Sequence, residues 1–258
     1  MIRELCENAN TYTPLGPGNE RIVDPRFVVA LSPGSDPHWT VVQRLRLESD
    51  EVEATVAEIR ILVAQRGRTA CTWEVADSAT PPDLVEQLLA LGCVPDSEPL
   101  AVGMVLTELQ GEDVPGVTAR HVETLAEYEE AVRIAHEAFG MPGAAMEESL
   151  ARAPESFELE GHGWRTYLVF VDGRPIARAT ASFTEHGVLL FGGATREDAR
   201  GRGAYRALVR ARWDDAVAAG TPVLVTHAGP MSRPILARLG FREVSRIHIL
   251  LDEFGARA

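Results

Sequence analysis

Residues 192–204, GGATREDARGRGA, join a predicted strand that ends at Thr195 to a predicted helix that begins at Gly203. The N-terminus of a helix has unpaired backbone N–H groups and a partial positive charge, so it attracts anions. Glycines allow the backbone to approach phosphate oxygens, and Arg200 and Arg202 add positive charge. The segment therefore predicts a phosphate cradle, with an ordinary strand-to-helix turn as the alternative.

Two other phosphate-binding patterns do not fit this segment. The dinucleotide fingerprint requires a third glycine and an acidic residue about 20 positions further on. The P-loop requires a lysine followed by serine or threonine after its last glycine, and Ala204 stands there instead.

The segment resembles the coenzyme A-binding motif of the GNAT N-acyltransferase superfamily, Arg/Gln-x-x-Gly-x-Gly/Ala, which opens the central helix of that fold. Arg200 and Gly203 match the first two fixed positions. The third holds Tyr205 rather than glycine or alanine, a departure expected to tilt the helix start or to line the pantetheine path. The resemblance implies a coenzyme A-binding set of Ala194, Thr195, Arg200, Gly201, Arg202, Gly203, Ala204 and Tyr205.

The resemblance also implies a reaction. Members of this family transfer an acyl group directly from a thioester to an amine, with acetyl-CoA or another acyl-CoA as co-substrate and no metal. In the family, backbone N–H groups near the end of the fourth strand polarise the thioester carbonyl, in the manner of an oxyanion hole. By position, those groups belong here to Ala194, Thr195 and their neighbours.

A polar, turn-rich segment at residues 109–116, LQGEDVPG, predicts a linker. It divides the chain into expected domains 1–112 and 113–258. The order of elements from Val117 to Phe254 looks like a whole GNAT domain. The expected fold class is α/β (α+β), with two GNAT-like units that each have a mixed, mostly antiparallel sheet flanked by helices.

The first half repeats part of the second. Residues 90–93, ALGC, and residues 238–241, RLGF, occupy the same place in the two element orders. This pattern indicates an internal duplication, with chance similarity as the alternative. In the first half the loop before the helix reads Glu48-Ser49-Asp50-Glu51, whose acids repel phosphate, so we expect this unit to bind no coenzyme A.

Hydrophobic periodicity and turn residues predict the individual elements. Thr124, with Glu127 three residues later, predicts a capping box at a helix start. The predicted strands cover residues 41–47, 71–75, 100–106, 117–122, 164–171, 175–183, 187–195, 223–226 and 247–251. The predicted helices cover residues 52–66, 82–91, 124–140, 144–153, 203–219 and 232–239.

Composition limits the classes of function. The net charge of −13 disfavours nucleic acid as a partner, yet residues 196–246 hold ten arginines against five acids, which suits a local anionic ligand. All 25 basic residues are arginine, which excludes lysine Schiff-base chemistry. Three scattered cysteines predict neither disulfides nor a metal site. With no apolar span and no signal peptide, we expect a cytoplasmic protein without a membrane partner.

The acid and base of the reaction are harder to predict. Many GNAT enzymes place a tyrosine four residues before the glycine of Leu-Gly-Phe, but Leu236 stands there. The candidate catalytic residues are Ser232, His227 and Glu185, whose alternative roles are a helix cap, a loop histidine and a solvated turn. The polar residues 158–163, ELEGHG, frame an acceptor site or form a plain loop.

Two functions remain open at this point. One is an N-acetyltransferase that acts on a small-molecule amine or a protein amine. The other is a non-catalytic acyl-CoA-binding module. The sequence does not specify the oligomeric state.

Overall fold

The computed structural model, which describes residues 1–34 and 36–255, contains eight α-helices and eleven strands within those residues. The helices are α1 (Ile2–Glu7), α2 (Val52–Ala64), α3 (Leu84–Ala90), α4 (Leu125–Phe139), α5 (Gly143–Ala151), α6 (Ala153–Phe157), α7 (Ala204–Ala218) and α8 (Arg233–Arg238). The strands are β1 (Glu20–Val23), β2 (Val28–Leu31), β3 (Thr40–Gln43), β4 (Ala70–Ala76), β5 (Val94–Leu106), β6 (Thr118–His121), β7 (Trp164–Val171), β8 (Arg174–Thr184), β9 (Gly187–Thr195), β10 (Leu224–Ala228) and β11 (Arg242–Glu253).

The chain forms two compact units. Unit 1 contains residues 1–104, 227–234 and those from 243 onward, and unit 2 contains residues 105–226 and 235–242. The predicted boundary at 112/113 stays a prediction. The units differ from that simple division because β11, at the end of the sequence, belongs to unit 1, where it pairs with β4 from Ile247↔Ala76 to Glu253↔Ala70.

Unit 1 contains a mixed sheet in the order β1-β2-β3-β4-β11-β5. Strands β3 and β4 form a parallel pair, and α2 connects them. One face of α2 buries Val52, Val56, Ile59 and Val63 against the sheet residues Val42 and Trp73. The buried carboxylate of Asp252 on β11 accepts a hydrogen bond from Trp73 Nε1 at 3.3 Å and forms an ion pair with Arg60 at 2.8 Å.

Unit 2 contains a sheet in the order β10-β9-β8-β7-β6, in which only β10 and β9 are parallel. Helices cover both faces. Leu168 of β7 packs against Ala131 and Ile134 of α4, whereas the neighbouring Tyr167 donates a hydrogen bond to Asp215 of α7 at 2.5 Å. Because successive side chains of a strand point to opposite faces, α4 and α7 lie on opposite sides of this sheet. The mixed, mostly antiparallel sheets flanked by helices confirm the predicted fold class.

The proposed duplication has a geometric counterpart in the two helix ends. Gly92 after α3 and Gly240 after α8 have φ of 97° and 100°. In both, the following residue donates a hydrogen bond to a leucine carbonyl at 3.1 Å, Cys93 to Leu88 O and Phe241 to Leu236 O.

Several elements differ from the sequence prediction. The N-terminal α1, β1 and β2 were not predicted, because each is only four to six residues long, too short for a periodic pattern. The strand expected at 41–47 ends at Gln43, since Arg44 adopts φ of 56°. No helix among the described residues is long and apolar enough to cross a membrane.

Candidate functional site

The predicted phosphate cradle lies at the start of α7. Gly201 and Gly203 have φ of 78° and 81°, conformations that favour glycine, and Gly203 is the N-cap residue. No side chain caps this helix, so its first backbone N–H groups face outward without a capping acceptor. A Cβ on Gly203 would lie 2.7 Å from Val114 Cγ1, so Val114 packs directly on the N-cap residue.

The arginines near the loop differ in their partners. Arg196 pairs with Glu130 and Glu137, both at 2.9 Å, and Arg202 lies 4.0 Å from Asp172. Arg200 is exposed, forms no ion pair within the described residues, and lines a cleft of about 730 Å³ beside the C-terminal end of α4. Arg200 is therefore the loop cation best placed to pair with an anionic ligand.

The strand before the loop separates from its parallel neighbour. The ladder between β9 and β10 contains only the pairs Leu224↔Val188 and Val225↔Leu189, although β9 continues to Thr195. Thr226 Oγ1 donates to Leu190 O at 3.3 Å, and the strands do not pair beyond that point. This opening exposes main chain of β9 immediately before Ala194 and Thr195, where the resemblance places the polarising N–H groups.

A bulge in β9 accompanies the opening. The register between β8 and β9 shifts between Arg178 and Thr180, and Gly192 adopts φ of 53°. Arg178 Nη1 donates to Gly192 O at 3.1 Å from the α4 side. From the α7 side the fully buried Arg212 donates to Leu208 O at 2.9 Å and to Thr180 O at 3.5 Å. Two guanidinium groups therefore support the bulge.

Neither of these arginines was predicted. Burial lowers the pKa of Arg178, and it lowers that of Arg212 to about 10. The signal that could have revealed Arg178 is the alternation of residues 177–182, ARATAS, in which a charged residue stands mid-strand among alanines.

Tyr205 occupies the position where the family pattern has glycine or alanine. A Cβ on Gly193 would lie 3.0 Å from Cε2 of Tyr205, so the Tyr205 ring packs over this glycine of β9. Burial raises the pKa of the Tyr205 phenol. Tyr205 thus fits at the helix start because Gly193 of β9 has no side chain.

The corresponding region of unit 1 is occupied by the N-terminal segment. The β3–β4 ladder also contains only two pairs, Val41↔Thr72 and Val42↔Trp73. Where β3 ends, Arg44 N donates to Asn8 Oδ1 at 2.8 Å, and the side-chain carbonyl oxygen of Gln43 accepts a hydrogen bond from Thr11 N at 2.7 Å. Chain atoms thus fill the place that is open in unit 2. That unit 1 binds no coenzyme A stays a prediction, which this filling supports.

The three candidate catalytic residues each have their own local surroundings. Glu185 is exposed in the β8–β9 turn, at the opposite end of β9 from the loop, and its carboxylate lies 3.0 Å from His186 Nε2. Ser232 donates to Gly229 O at 3.4 Å, and an imidazole nitrogen of His227 lies 2.7 Å from Cys6 O. Leu236, in the place of the usual tyrosine acid, is buried in the core.

Solved structures similar to this chain are GNAT acetyltransferases. A GCN5-related N-acetyltransferase from Kribbella flavida is 20% identical, with a TM-score of 0.75 over 98% of this chain and 95% of that chain. A tandem GNAT protein from the clavulanic acid biosynthesis pathway is 19% identical, with a TM-score of 0.62 over 100% of this chain and 89% of that chain. A GCN5-related N-acetyltransferase from Sphaerobacter thermophilus is 15% identical, with a TM-score of 0.63 over 92% and 84%.

The chain therefore has the GNAT fold, and it shares that fold over its length with a tandem GNAT protein. No protein-family model matches the sequence, and no curated protein matches it.

Proposed function

We propose that this protein is an acyl-CoA-dependent N-acyltransferase that transfers an acetyl group from acetyl-CoA to a primary amine. The observation that carries the proposal is the cradle at the start of α7, which combines uncapped N–H groups, Gly201, Gly203 and the unpaired Arg200. The part of β9 that does not pair with β10 ends at Thr195, immediately before this loop.

The geometry of the loop suits a pyrophosphate. The helix start supplies backbone donors and a partial positive charge, and Arg200 supplies a full positive charge with a bidentate donor edge. In the exposed opening of β9, free main-chain N–H groups would polarise the thioester carbonyl. The amine nitrogen then bonds to the carbonyl carbon, the carbon–sulfur bond breaks, and the proton lost by the amine balances the thiolate of coenzyme A.

A second function, acyl-CoA binding without catalysis, is favoured by one observation. The position of the usual acid holds the buried Leu236, and the candidate Glu185 lies at the opposite end of β9 from the loop.

Turnover distinguishes the two functions. The purified protein is incubated with acetyl-CoA and a panel of primary amines, and acetylated product and free thiol are both quantified. Acetyl transfer requires equal amounts of the two products. Saturable acetyl-CoA binding without product across the panel would instead support the binding module.

The same assay tests the role of the loop. Arg200→Ala should raise the KM for acetyl-CoA by about tenfold or more, because a charge-assisted contact to phosphate is lost. An Arg152→Ala control removes an arginine that pairs with Glu148 at 3.4 Å outside the loop, and its KM should not change. An unchanged KM in Arg200→Ala would contradict the assignment of the loop.

A further inference from the structure

A polar patch lies on the α4 side of the unit 2 sheet, next to the bulge of β9. Arg178 pairs in register with Leu168, which packs on α4, so the two side chains share this face. Thr166 and Thr180 are register partners on the same face, and the rings of Trp164 and Phe191 lie 5.8 Å apart beside them. Arg178, Thr180, Trp164 and Phe191 are only half-buried, so α4 leaves this part of the face uncovered.

The guanidinium of Arg178 has few direct partners. Within the described residues its guanidinium forms no ion pair, and its one hydrogen bond is the contact of Nη1 with Gly192 O. The Nε atom is buried and has no hydrogen-bond partner. An anion that contacts the outer nitrogens of this half-buried guanidinium would form a charge-assisted hydrogen bond with it.

An acidic side chain, Glu160, is held near that arginine without forming an ion pair with it. Glu160 directs its carboxylate to the backbone N–H of Thr166, with oxygen distances of 2.8 and 3.1 Å. It is not among the ion-pair partners of Arg178, although the two charges are near enough to stabilise each other. Burial raises the pKa of Glu160. The guanidinium of Arg178 and the carboxylate of Glu160 are thus separate from each other, and the rings of Trp164 and Phe191 lie close by.

This arrangement is complementary to a dipolar ligand. We propose that the acceptor is an amine that also carries a carboxylate, with Arg178 binding the carboxylate and Glu160 the amino group. The inference rests on the proposed acyl transfer and specifies its acceptor. The helix that carries the phosphate cradle lies on the opposite face of the sheet, so the α4 face is the side left for an acceptor to approach the opening of β9.

The test compares matched acceptors with acetyl-CoA. Free amino acids, their methyl esters and the corresponding decarboxylated amines are assayed for kcat/KM. The wild-type protein should prefer the free acids by at least about tenfold, since a charge-assisted hydrogen bond is lost in the ester. Equal kcat/KM for acids and esters would overturn the inference while leaving the proposed acyl transfer intact.

Variants separate recognition from support of the bulge. Arg178→Met should bring the acid-to-ester ratio close to one through a higher KM for the acids, and Arg178→Lys should restore part of the preference. Glu160→Gln should lower kcat/KM for acids and esters alike, because both share the amino group. Arg152→Met, the matched control, should leave the ratio unchanged. A ratio that is the same in Arg178→Met and wild type would overturn the inference.

The inference can also be tested if no amine is acetylated, a result that would contradict the proposed function itself. Calorimetry with N-acetyl amino acids in the presence of coenzyme A then measures the patch directly. Binding that is lost in Arg178→Met but kept for Arg152→Met supports the carboxylate site. The absence of binding by any of these carboxylates to the wild-type protein overturns it.

Discussion

Gly203 is constrained by its backbone and by a neighbour at the same time. Its φ of 81° disfavours any side chain, and a Cβ there would lie 2.7 Å from Val114 Cγ1. We expect Gly203→Ala to lower the free energy of unfolding by about 1–3 kcal/mol. Chemical denaturation of the wild type and the variant measures this difference.

The two constraints can be separated with a second substitution. Val114→Ala removes the atoms that a new Cβ would strike, so part of the loss in Gly203→Ala should disappear in the double variant. Strictly additive effects of the two substitutions would show that Val114 does not pack on the loop as described.

At this scale the sequence revealed the loop but not the patch. Arg200, Gly201 and Gly203 could be predicted because strand, glycines and helix are consecutive in the chain. Glu160 lies in the segment 158–163, for which the sequence left an acceptor site and a plain loop open. Arg178 could not be predicted, because its place beside the bulge of β9 depends on pairing between strands. The pairing of Tyr205 with Gly193 was hidden for the same reason.

The capping box predicted at the start of α4 forms only in part. Thr124 accepts a hydrogen bond from Glu127 N at 3.3 Å, which confirms the predicted N-cap. The Glu127 carboxylate, however, accepts from Glu123 N at 2.9 Å and pairs with Arg120. The reciprocal half of the capping box is therefore displaced by one residue toward the preceding strand.

This arrangement predicts a pH dependence of stability. The contact with Arg120 lowers the pKa of Glu127 to about 2, below its value of about 4.3 in an unfolded chain. The stabilisation is then complete above the unfolded pKa and is lost as the pH falls through the folded pKa. Glu127→Gln should cost about 1 kcal/mol at pH 7, because the pair is partly solvent-exposed, and almost nothing near pH 2.

Glu123→Gln is the matched control, since its exposed carboxylate lies 3.9 Å from the same arginine. Its unfolding free energy should change little at either pH. A constant difference between Glu127→Gln and the wild type from pH 2 to pH 7 would refute the assignment.

The duplicated helix ends give a paired prediction. Gly92 and Gly240 share a left-handed conformation, but a Cβ on Gly92 would meet open space, whereas one on Gly240 would lie 3.1 Å from Glu108 O. Gly92→Ala should therefore cost about 1 kcal/mol from its backbone alone, and Gly240→Ala should cost more. Thermal unfolding of both variants measures the order, and equal costs would contradict the described contact.

Elements whose signal is local were predicted well. The strands at 164–171 and 187–195 and the body of α2 lie where periodicity and turn residues indicate. The ends of β5 and β11 extend far beyond their apolar cores, because pairing with neighbouring strands, rather than side-chain pattern, stabilises the polar extensions.

At the scale of the whole molecule, the two compact units do not correspond to the first and second halves of the sequence. Strand β11 completes the sheet of unit 1 and brings the buried Leu250 and Asp252 into its core. A fragment of residues 1–112 should therefore fail to fold, because the edge of β4 and the partners Arg60 and Trp73 are left uncovered. A fusion of 1–112 to 242–255 through a flexible linker should recover part of the structure.

Circular dichroism and amide-proton dispersion of the two fragments measure this difference. A fusion carrying Asp252→Ala is the control, since it keeps the strand and removes the carboxylate that bonds Arg60 and Trp73. Cooperative unfolding of 1–112 alone would show that β11 is dispensable. No pattern in the sequence predicts the pairing, because the strands are separated by the whole of unit 2.

The central claim is that the start of α7 binds coenzyme A, and ligand-induced stabilisation tests it most directly. Coenzyme A at about 100 times its dissociation constant should stabilise the wild-type protein by about 2.7 kcal/mol and raise its Tm. Arg200→Glu should abolish this rise, whereas Arg242→Glu, the same charge change at an exposed position of β11, should keep it. No rise in the Tm of the wild type, or an equal rise in Arg200→Glu, would contradict the account.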